Sequence, residues 1–239
     1  MDIRRQALDL TTYDEVASEY YDSARHPTCA NFGELSERFI APRLTTWLAP
    51  PFRILEVGAG RSIVAPRLAK TGGSLQNLTL LDHSPAMLAH SRQWAQFGAT
   101  LMVADARATG LPPASFDLIV AALGDPYNDA TFWAEVERIL TSGGVCLFTT
   151  PAWEWSVRFR HLSARTRAEF LLERGETVAV PSLILAVEDQ FQLIAAAGLT
   201  VQESEAFTAT GLSSPRSPKL NVFQEGEEPV VRGFTVQKR

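Results

Sequence analysis

The sequence predicts an α/β protein with a doubly wound, mostly parallel, Rossmann-like sheet of about seven strands. Short apolar runs alternate with longer helical patterns, which is the order that strand–helix–strand units require. The runs are apolar at odd and even positions alike, as in strands that are covered on both faces. They comprise residues 53–58, 77–82, 100–105, 116–123 and 144–150. Because right-handed crossovers bring the carboxyl ends of such strands to one edge, we expect a ligand to bind there.

The segments between these strands carry the start and stop signals of helices. Ser84 and Pro85 precede an apolar-periodic stretch as N-cap and first helical residue, and Gly98 follows its end. The chain further predicts a helix over 131–140 capped by Asn128 or Asp129, a Gly143-Gly144 turn, a helix over 188–197 and a strand over 199–207. The last strand is either LNVF (220–223) or VVRGFTV (230–236), and the pattern does not decide between them.

Two regions fall outside this alternation. Residues 1–50 have a helical pattern with a break at Pro27 and a kink at Pro42, and residues 152–187 form an insertion after the fifth strand. We therefore expect one core over residues 51–239 with additions to it, and not two domains.

Composition excludes some classes of protein. The chain has 22 Lys and Arg against 27 Asp and Glu, a net charge of −5, which argues against a duplex-binding domain. It has no apolar run of about 20 residues and no secretory leader pattern, so we expect a cytoplasmic protein without a membrane span. Cys29 and Cys146 lack the clustered partners of a zinc site, so no metal is expected.

Charged and glycine residues follow three successive strands of the predicted sheet. The first strand ends in Glu56, Gly58 and Gly60, a loop that lets a ligand approach the backbone. The second ends in Asp82, placed to accept both hydroxyls of a ribose. The third ends in Asp105 and Ala106, whose carboxylate and N–H suit the edge of an adenine. Either aspartate alone would equally be a helix or turn cap. Acidic residues at all three successive strand ends together favour a bound adenosine.

These motifs together resemble the class I S-adenosylmethionine-dependent methyltransferases. The resemblance rests on ILEVGAGRS, LTLLDHSPAML, MVADARATGLPPASFDLIVAAL and ERILTSGGVCLFTTP, and it covers roughly residues 50–207. It implies S-adenosylmethionine as the cofactor, with Asp82 on the ribose, Met87 over the adenine and His83 beside it. Arg61-Ser62 departs from the usual pattern of the first motif, and Arg61 is expected at the mouth of the cofactor site.

The resemblance extends to the N-terminal region. TYDEVASEYYDSA (12–24) is similar to the lid helix of the small-molecule branch, which implies that residues 1–50 cover the substrate. In that arrangement Tyr21, together with Tyr20 and Arg25, closes on the methionine carboxylate.

Four residues are candidates for contact with the methyl acceptor. Asp125 and Tyr127 follow the fourth strand, where the family places its reaction centre: Asp125 would orient an amine or hydroxyl and Tyr127 would pack on a planar acceptor. The alternative is an Asp-Pro turn that leads into a capped helix. His26 and His161 lie in the two covering regions and are candidate general bases, whereas His90 is interpreted as structural.

The insertion carries aromatic and basic side chains whose role stays open at this point. Its aromatic residues either line the substrate or seal the insertion onto the sheet, and its basic residues either meet an anionic group of the substrate or form a solvated face. They are Trp153, Trp155, Phe159, Arg158, Arg160, His161, Arg165, Arg167 and Arg174.

The sequence thus predicts transfer of a methyl group to an oxygen, nitrogen or carbon atom of a small molecule. A homodimer is compatible with it. The alternatives are an RNA or nucleotide methyltransferase that uses residues 158–174, a nicotinamide-dependent oxidoreductase and a silent cofactor-binding subunit. Ile63, where a dinucleotide fingerprint has its third glycine, argues against the oxidoreductase.

Overall fold

A central sheet organises the computed structural model, which describes residues 12–48, 51–72, 74–160, 166–221 and 228–239. Within these ranges seven strands form this sheet in the order β3-β2-β1-β4-β5-β9-β8. Their bounds are β1 Ile54–Val57, β2 Leu78–Asp82, β3 Thr100–Val103, β4 Phe116–Ala121, β5 Leu140–Pro151, β8 Leu199–Phe207 and β9 Val231–Lys238. A separate hairpin pairs β6 Arg167–Leu171 with β7 Thr177–Pro181. The predicted fold class is confirmed.

The strand directions place the predicted motifs at one edge. Strands β1 to β5 pair in parallel, so the carboxyl ends of β1, β2 and β4 lie side by side. β9 runs antiparallel between β5 and β8. The last strand is therefore VVRGFTV and not LNVF: Leu220 ends a short 3-10 helix over Pro218–Leu220, and residues 222–227 lie outside the described chain.

The helices cover both faces of the sheet. They are α1 Thr12–Val16, α2 Pro27–Leu44, α3 Ala65–Lys70, α4 Pro85–Leu88, α5 Ala130–Ile139, α6 Trp153–Ser156 and α7 Val187–Ala196. Two clusters of buried side chains fill the layers, one beneath α5 and α7 and one beneath α2 and α3. Burying apolar side chains on both faces of parallel strands is the main stabilising term of such a fold.

Two elements differ from their predicted form. The helix expected after Pro85 is α-helical only to Leu88 and continues as a 3-10 helix over Ala89–Phe97, although Ser84 caps it and Gly98 ends it with φ 101° as predicted. β5 begins at Leu140 and not at Gly144. Its residues 141–144 stand opposite the single residue Asp117 of β4, so the expected Gly143-Gly144 turn is an irregularity within the strand.

The N-terminal region contributes to both the core and the cover. α2 begins at Pro27, as the predicted break requires, and Pro42 lies in its last turn. Phe39, Ile40 and Leu44 of α2 are fully buried in the cluster beneath it. The first turns of α2 extend beyond the sheet edge, where they are available to form a wall.

Candidate active site

A cavity of about 490 Å³ opens at the carboxyl ends of β1, β2 and β4. The sheet supplies one side of it, and the N-terminal segment with α2 supplies the other. Of the predicted site residues, ten line it: Tyr20, Tyr21, Glu56, Gly58, Arg61, Asp82, His83, Met87, Ala106 and Tyr127. A volume of this size is ordinary for a small-molecule site.

Glu56 organises the loop that follows β1. Its buried carboxylate accepts hydrogen bonds from the Ser62 hydroxyl and from the backbone N–H groups of Ile63 and Val64, at 2.7 and 3.3 Å. These donors belong to the turn that leads into α3. Burial raises the pKa of Glu56 to about 7, and the donors only partly offset that rise. The loop therefore holds a carboxyl group that titrates near neutral pH at the cavity wall.

Asp82, at the end of β2, is oriented by two backbone donors. Oδ2 accepts from the N–H of Gly60 at 3.0 Å and Oδ1 from the N–H of Ser84 at 2.9 Å. Burial raises the pKa of Asp82 above its ordinary value, and the two N–H donors act against this rise. Each carboxylate oxygen keeps a second lone pair, so the group can accept a pair of vicinal hydroxyls from a ligand in the cavity.

The third strand end is arranged differently from the prediction. Ala106 lines the cavity, but the carboxylate of Asp105 is held by the guanidinium of Arg107 at 2.7 Å and by its N–H at 2.9 Å. Partial burial opposes ionisation, yet Arg107 outweighs it and keeps the pKa of Asp105 below its ordinary value. A role for Asp105 on an adenine amino group stays a prediction.

The N-terminal segment is fastened over the site by four contacts. The carboxylate of Asp14 accepts from the Ser84 hydroxyl at 2.5 Å, and His90 Nε2 lies 2.9 Å from a backbone oxygen of the segment. The Tyr21 hydroxyl accepts from the N–H of Arg61 at 2.7 Å, and the Arg61 guanidinium stacks on the Tyr21 ring at 4.3 Å. Tyr21 thus lies against the glycine loop, and Arg61 lies at the cavity as expected.

Arg25 does not share this position. It pairs with Glu19 and Glu173 and is not among the cavity-lining residues of the described chain.

Asp125 and Tyr127 differ in how they relate to the cavity. Tyr127 lines it, and its hydroxyl donates to the carbonyl of Val57 at 3.1 Å. The buried carboxylate of Asp125 accepts from the Ser182 hydroxyl, which in turn binds Arg160 at 2.7 Å. Burial raises the pKa of Asp125 to about 6. In the described chain Asp125 joins β4 to the insertion and does not line the cavity.

Of the two histidine candidates, His26 is described and does not line the cavity. His26 is buried, its Nε2 lies 3.1 Å from Glu19 Oε2, and its ring packs on Phe170. His161 lies outside the described residues. Their roles as general bases stay predictions.

Side chains of the insertion are engaged with the protein itself. Trp155 packs on Phe32 and Phe159, and so seals the insertion onto α2. Arg158 pairs with Glu228, and Arg174 pairs with Glu15 and Glu176. Packing of Trp155 and ion pairs of Arg158 and Arg174 with partly exposed acidic side chains favour the sealing role and the solvated face for these three residues, and a role on the substrate stays a prediction for the others.

Residues 1–50 were expected to cover the substrate, but the individual residues of this wall of the cavity were not identified from the sequence. α2 and the loop docked on it contribute Cys29, Ala30, Gly33, Glu34, Glu37 and Ser213, and the segment around α1 contributes Tyr13. Glu34 fixes the loop by accepting from the N–H groups of Ser213 and Ser214 at 2.7 and 2.9 Å. The helical pattern of α2 was visible, but its orientation over the sheet edge depends on contacts made far along the chain.

Comparisons with known proteins agree with this arrangement. A family profile described as a methyltransferase domain matches residues 54–144, which hold β1 to β4 and the start of β5. A ubiquinone/menaquinone biosynthesis C-methyltransferase from Methylobacterium nodulans is 36% identical over 106 residues. That match covers 41% of this chain and 42% of the relative, so the chain spans about two fifths of the length of the curated protein it matches.

Solved structures share the fold over most of the chain. An S-adenosylmethionine-dependent methyltransferase from Mesorhizobium loti superposes with a TM-score of 0.58 at 20% identity, covering 85% of this chain and 98% of that one. The 1,6-didemethyltoxoflavin-N1-methyltransferase of Burkholderia thailandensis, solved with 1,6-didemethyltoxoflavin and S-adenosylhomocysteine bound, gives 0.57 at 17% identity over 100% of this chain and 93% of that one.

The match over residues 54–144 is to a methyltransferase domain, and for this part of the chain the resemblance to the class I S-adenosylmethionine-dependent methyltransferases is confirmed. Within the described chain, no helix combines the length and the apolar character that crossing a bilayer requires.

Proposed function

We propose that this protein transfers a methyl group from S-adenosylmethionine to a small-molecule acceptor. The observation that carries the proposal is the position of Asp82. Its buried, doubly oriented carboxylate lines the same cavity as the glycine loop, Met87 and Ala106. This combination suits a nucleoside with a charged tail that lies across the strand ends.

The residues present fit that cofactor. Asp82 has free lone pairs for the ribose hydroxyls, Met87 and Ala106 offer an apolar contact for a flat base, and Glu56 offers an anion for the ammonium group of the amino acid part. When bound, S-adenosylmethionine supplies a sulfonium-activated methyl group. The protein's own task is to hold the acceptor in line with the methyl–sulfur bond and to exclude water.

In such a transfer the acceptor atom would gain a bond to the methyl carbon, and the electron pair of the methyl–sulfur bond would remain on sulfur. An acceptor that starts as a hydroxyl or amine also loses a proton. Asp125 and Tyr127 are the candidates nearest the predicted reaction centre. Tyr127 serves as a wall, whereas the carboxylate of Asp125 is bonded to Ser182 outside the cavity lining and positions the insertion, so the proton of such an acceptor is released to solvent.

The acceptor is proposed to be small because the site is a cavity of about 490 Å³ and not an open basic surface. Arg158 and Arg174, which a nucleic acid would have to reach, pair with acidic side chains of the same chain. Nucleic acid is therefore not the expected partner, and a cytoplasmic location remains the expectation from the sequence.

The test is calorimetric titration of S-adenosylhomocysteine into the wild-type protein and into Asp82→Ala. We expect the affinity to fall by at least about tenfold, since a charged acceptor of two hydroxyl groups is lost. The matched control is Asp189→Ala, an exposed position of α7. Unchanged affinity in Asp82→Ala, or a stronger response to NAD in a thermal-shift comparison, would overturn the proposal.

A further inference from the structure

Gly33 is a glycine that neither backbone conformation nor close packing requires. It lies inside α2, where glycine costs about 1 kcal/mol relative to alanine. Its φ is not in the left-handed region, and a Cβ built on it would meet no described heavy atom within 4 Å. Gly124 shows the contrast, because a Cβ there would collide with the ring of Phe148.

The open space beside Gly33 belongs to the cavity. Gly33 lines it, and so do Cys29 one turn earlier and Glu37 one turn later. Residues four apart share one face of a helix, so this face of α2 is turned to the cavity. The opposite face carries Leu35 and Phe39, which are fully buried.

Contacts of the next turn of α2 connect Gly33 to the β4 and β5 side of the cavity, where the acceptor is expected. Ser36, on the next turn of α2, bonds Thr149 near the end of β5 at 2.9 Å. The same Thr149 hydroxyl accepts from the N–H of Leu123, in the loop after β4. Asp82, by contrast, ends β2 on the other side of β1.

Besides the acidic Glu34 and Glu37 of α2, aromatic and apolar side chains line the cavity. Tyr13, Tyr20, Leu123, Pro126 and Tyr127 line the cavity together with Gly33. Rings of this kind favour a flat partner through stacked or edge contacts. The Tyr127 hydroxyl donates its hydrogen bond to the carbonyl of Val57, so Tyr127 offers a ligand its ring and not its hydroxyl.

We infer that the absent side chain of Gly33 makes room for a flat, mostly apolar methyl acceptor and that residue 33 sets the largest acceptor the cavity admits. This inference rests on the proposed methyl transfer. It predicts that a larger side chain at position 33 excludes large acceptors and leaves cofactor binding intact.

The experiment compares Gly33→Ala and Gly33→Leu with the wild type. S-adenosylhomocysteine is titrated first by calorimetry, and then phenol, naphthol and phenanthrol are titrated into the protein saturated with it. We expect the affinity for S-adenosylhomocysteine to stay within about twofold, while Gly33→Leu weakens phenanthrol at least about tenfold and phenol less than about threefold. Ala69→Leu, at an exposed position of α3, is the control for adding the same side chain elsewhere.

Each outcome bears on the inference. Gly33→Ala should raise the thermal midpoint by roughly 2–4 °C, because only the helix propensity changes. A lowered midpoint would mean that the glycine has a structural role and would overturn the inference. Three further results would overturn it as well. They are equal weakening of the affinity for all three probes, no weakening of phenanthrol binding in Gly33→Leu, and no binding of any probe to the wild type. Failure of the wild type to bind S-adenosylhomocysteine would instead overturn the proposed function.

Discussion

The carboxyl group of Glu56 links stability to pH, and replacing it with an amide should remove that link. Glu56 is 2% exposed, and burial raises its pKa from 4.5 to about 7. The folded protein therefore holds this proton more tightly than the unfolded chain does. The resulting stabilisation is fully present below pH 4.5 and is lost as the pH rises through 7.

At about 1.4 kcal/mol for each pH unit between the two pKa values, this loss amounts to about 3 kcal/mol between pH 4.5 and pH 8. Glu56→Gln keeps a hydrogen-bonding side chain of similar size but cannot ionise. We expect its free energy of unfolding to fall by about 3 kcal/mol less than that of the wild type over the same range. Other buried carboxyl groups, such as Asp125, titrate in both proteins and cancel in the difference.

The assay is urea unfolding of both proteins at intervals from pH 4.5 to pH 8, without ligand. A second measurement uses calorimetry of S-adenosylhomocysteine near pH 6.5 in buffers of different ionisation enthalpy. An ammonium group beside Glu56 should lower its pKa and release part of a proton on binding, and Glu56→Gln should abolish this release. Identical pH dependence of unfolding in the two proteins would refute the reasoning.

Two further predictions concern backbone and core. Gly58→Ala should destabilise the protein by about 1–3 kcal/mol in urea unfolding, because a Cβ there meets the Tyr127 hydroxyl at 2.8 Å and φ is +62°. Gly72→Ala, with φ +71° but open space, is its control, and equal losses would show that the contact with Tyr127 is irrelevant. Asn128→Ala should cost about 2–4 kcal/mol, since it leaves the buried Trp133 N–H, now bonded at 2.9 Å, without an acceptor; a loss below about 0.5 kcal/mol would contradict this.

The strand ends were predictable because local pattern decides them. A parallel strand covered on both faces is mostly apolar, so the charged residue at the carboxyl end of β2, Asp82, marks the edge of the sheet. The cap at Ser84 and the stop at Gly98 are local signals too, and both stand where the sequence indicates.

Positions set by distant contacts were not predictable in the same way. Asp125 follows β4 as predicted, but Ser182, 57 residues further on, takes up its carboxylate. The irregularity in β5 depends on Asp117 of the neighbouring strand, whose side chain accepts from Thr141 at 3.2 Å. Gly33 comes to face the cavity only once α2 has packed across β5 and β9. No pattern within α2 reports these partners.

The place of β9 has a consequence for the order in which the protein can be assembled. β9 lies inside the sheet, between β5 and β8, and Gly233 leaves the space that the Phe39 ring of α2 fills. These two residues are almost 200 positions apart, and the ribosome delivers them in sequence. Until β9 emerges, α2 lacks part of the surface on which it packs, and β8 has no neighbouring strand in the sheet. The wall of the cavity that carries Gly33 is therefore not fixed. The nucleoside half of the site can therefore form during synthesis, whereas the half proposed for the acceptor is completed only after residues 231–238 are free to insert.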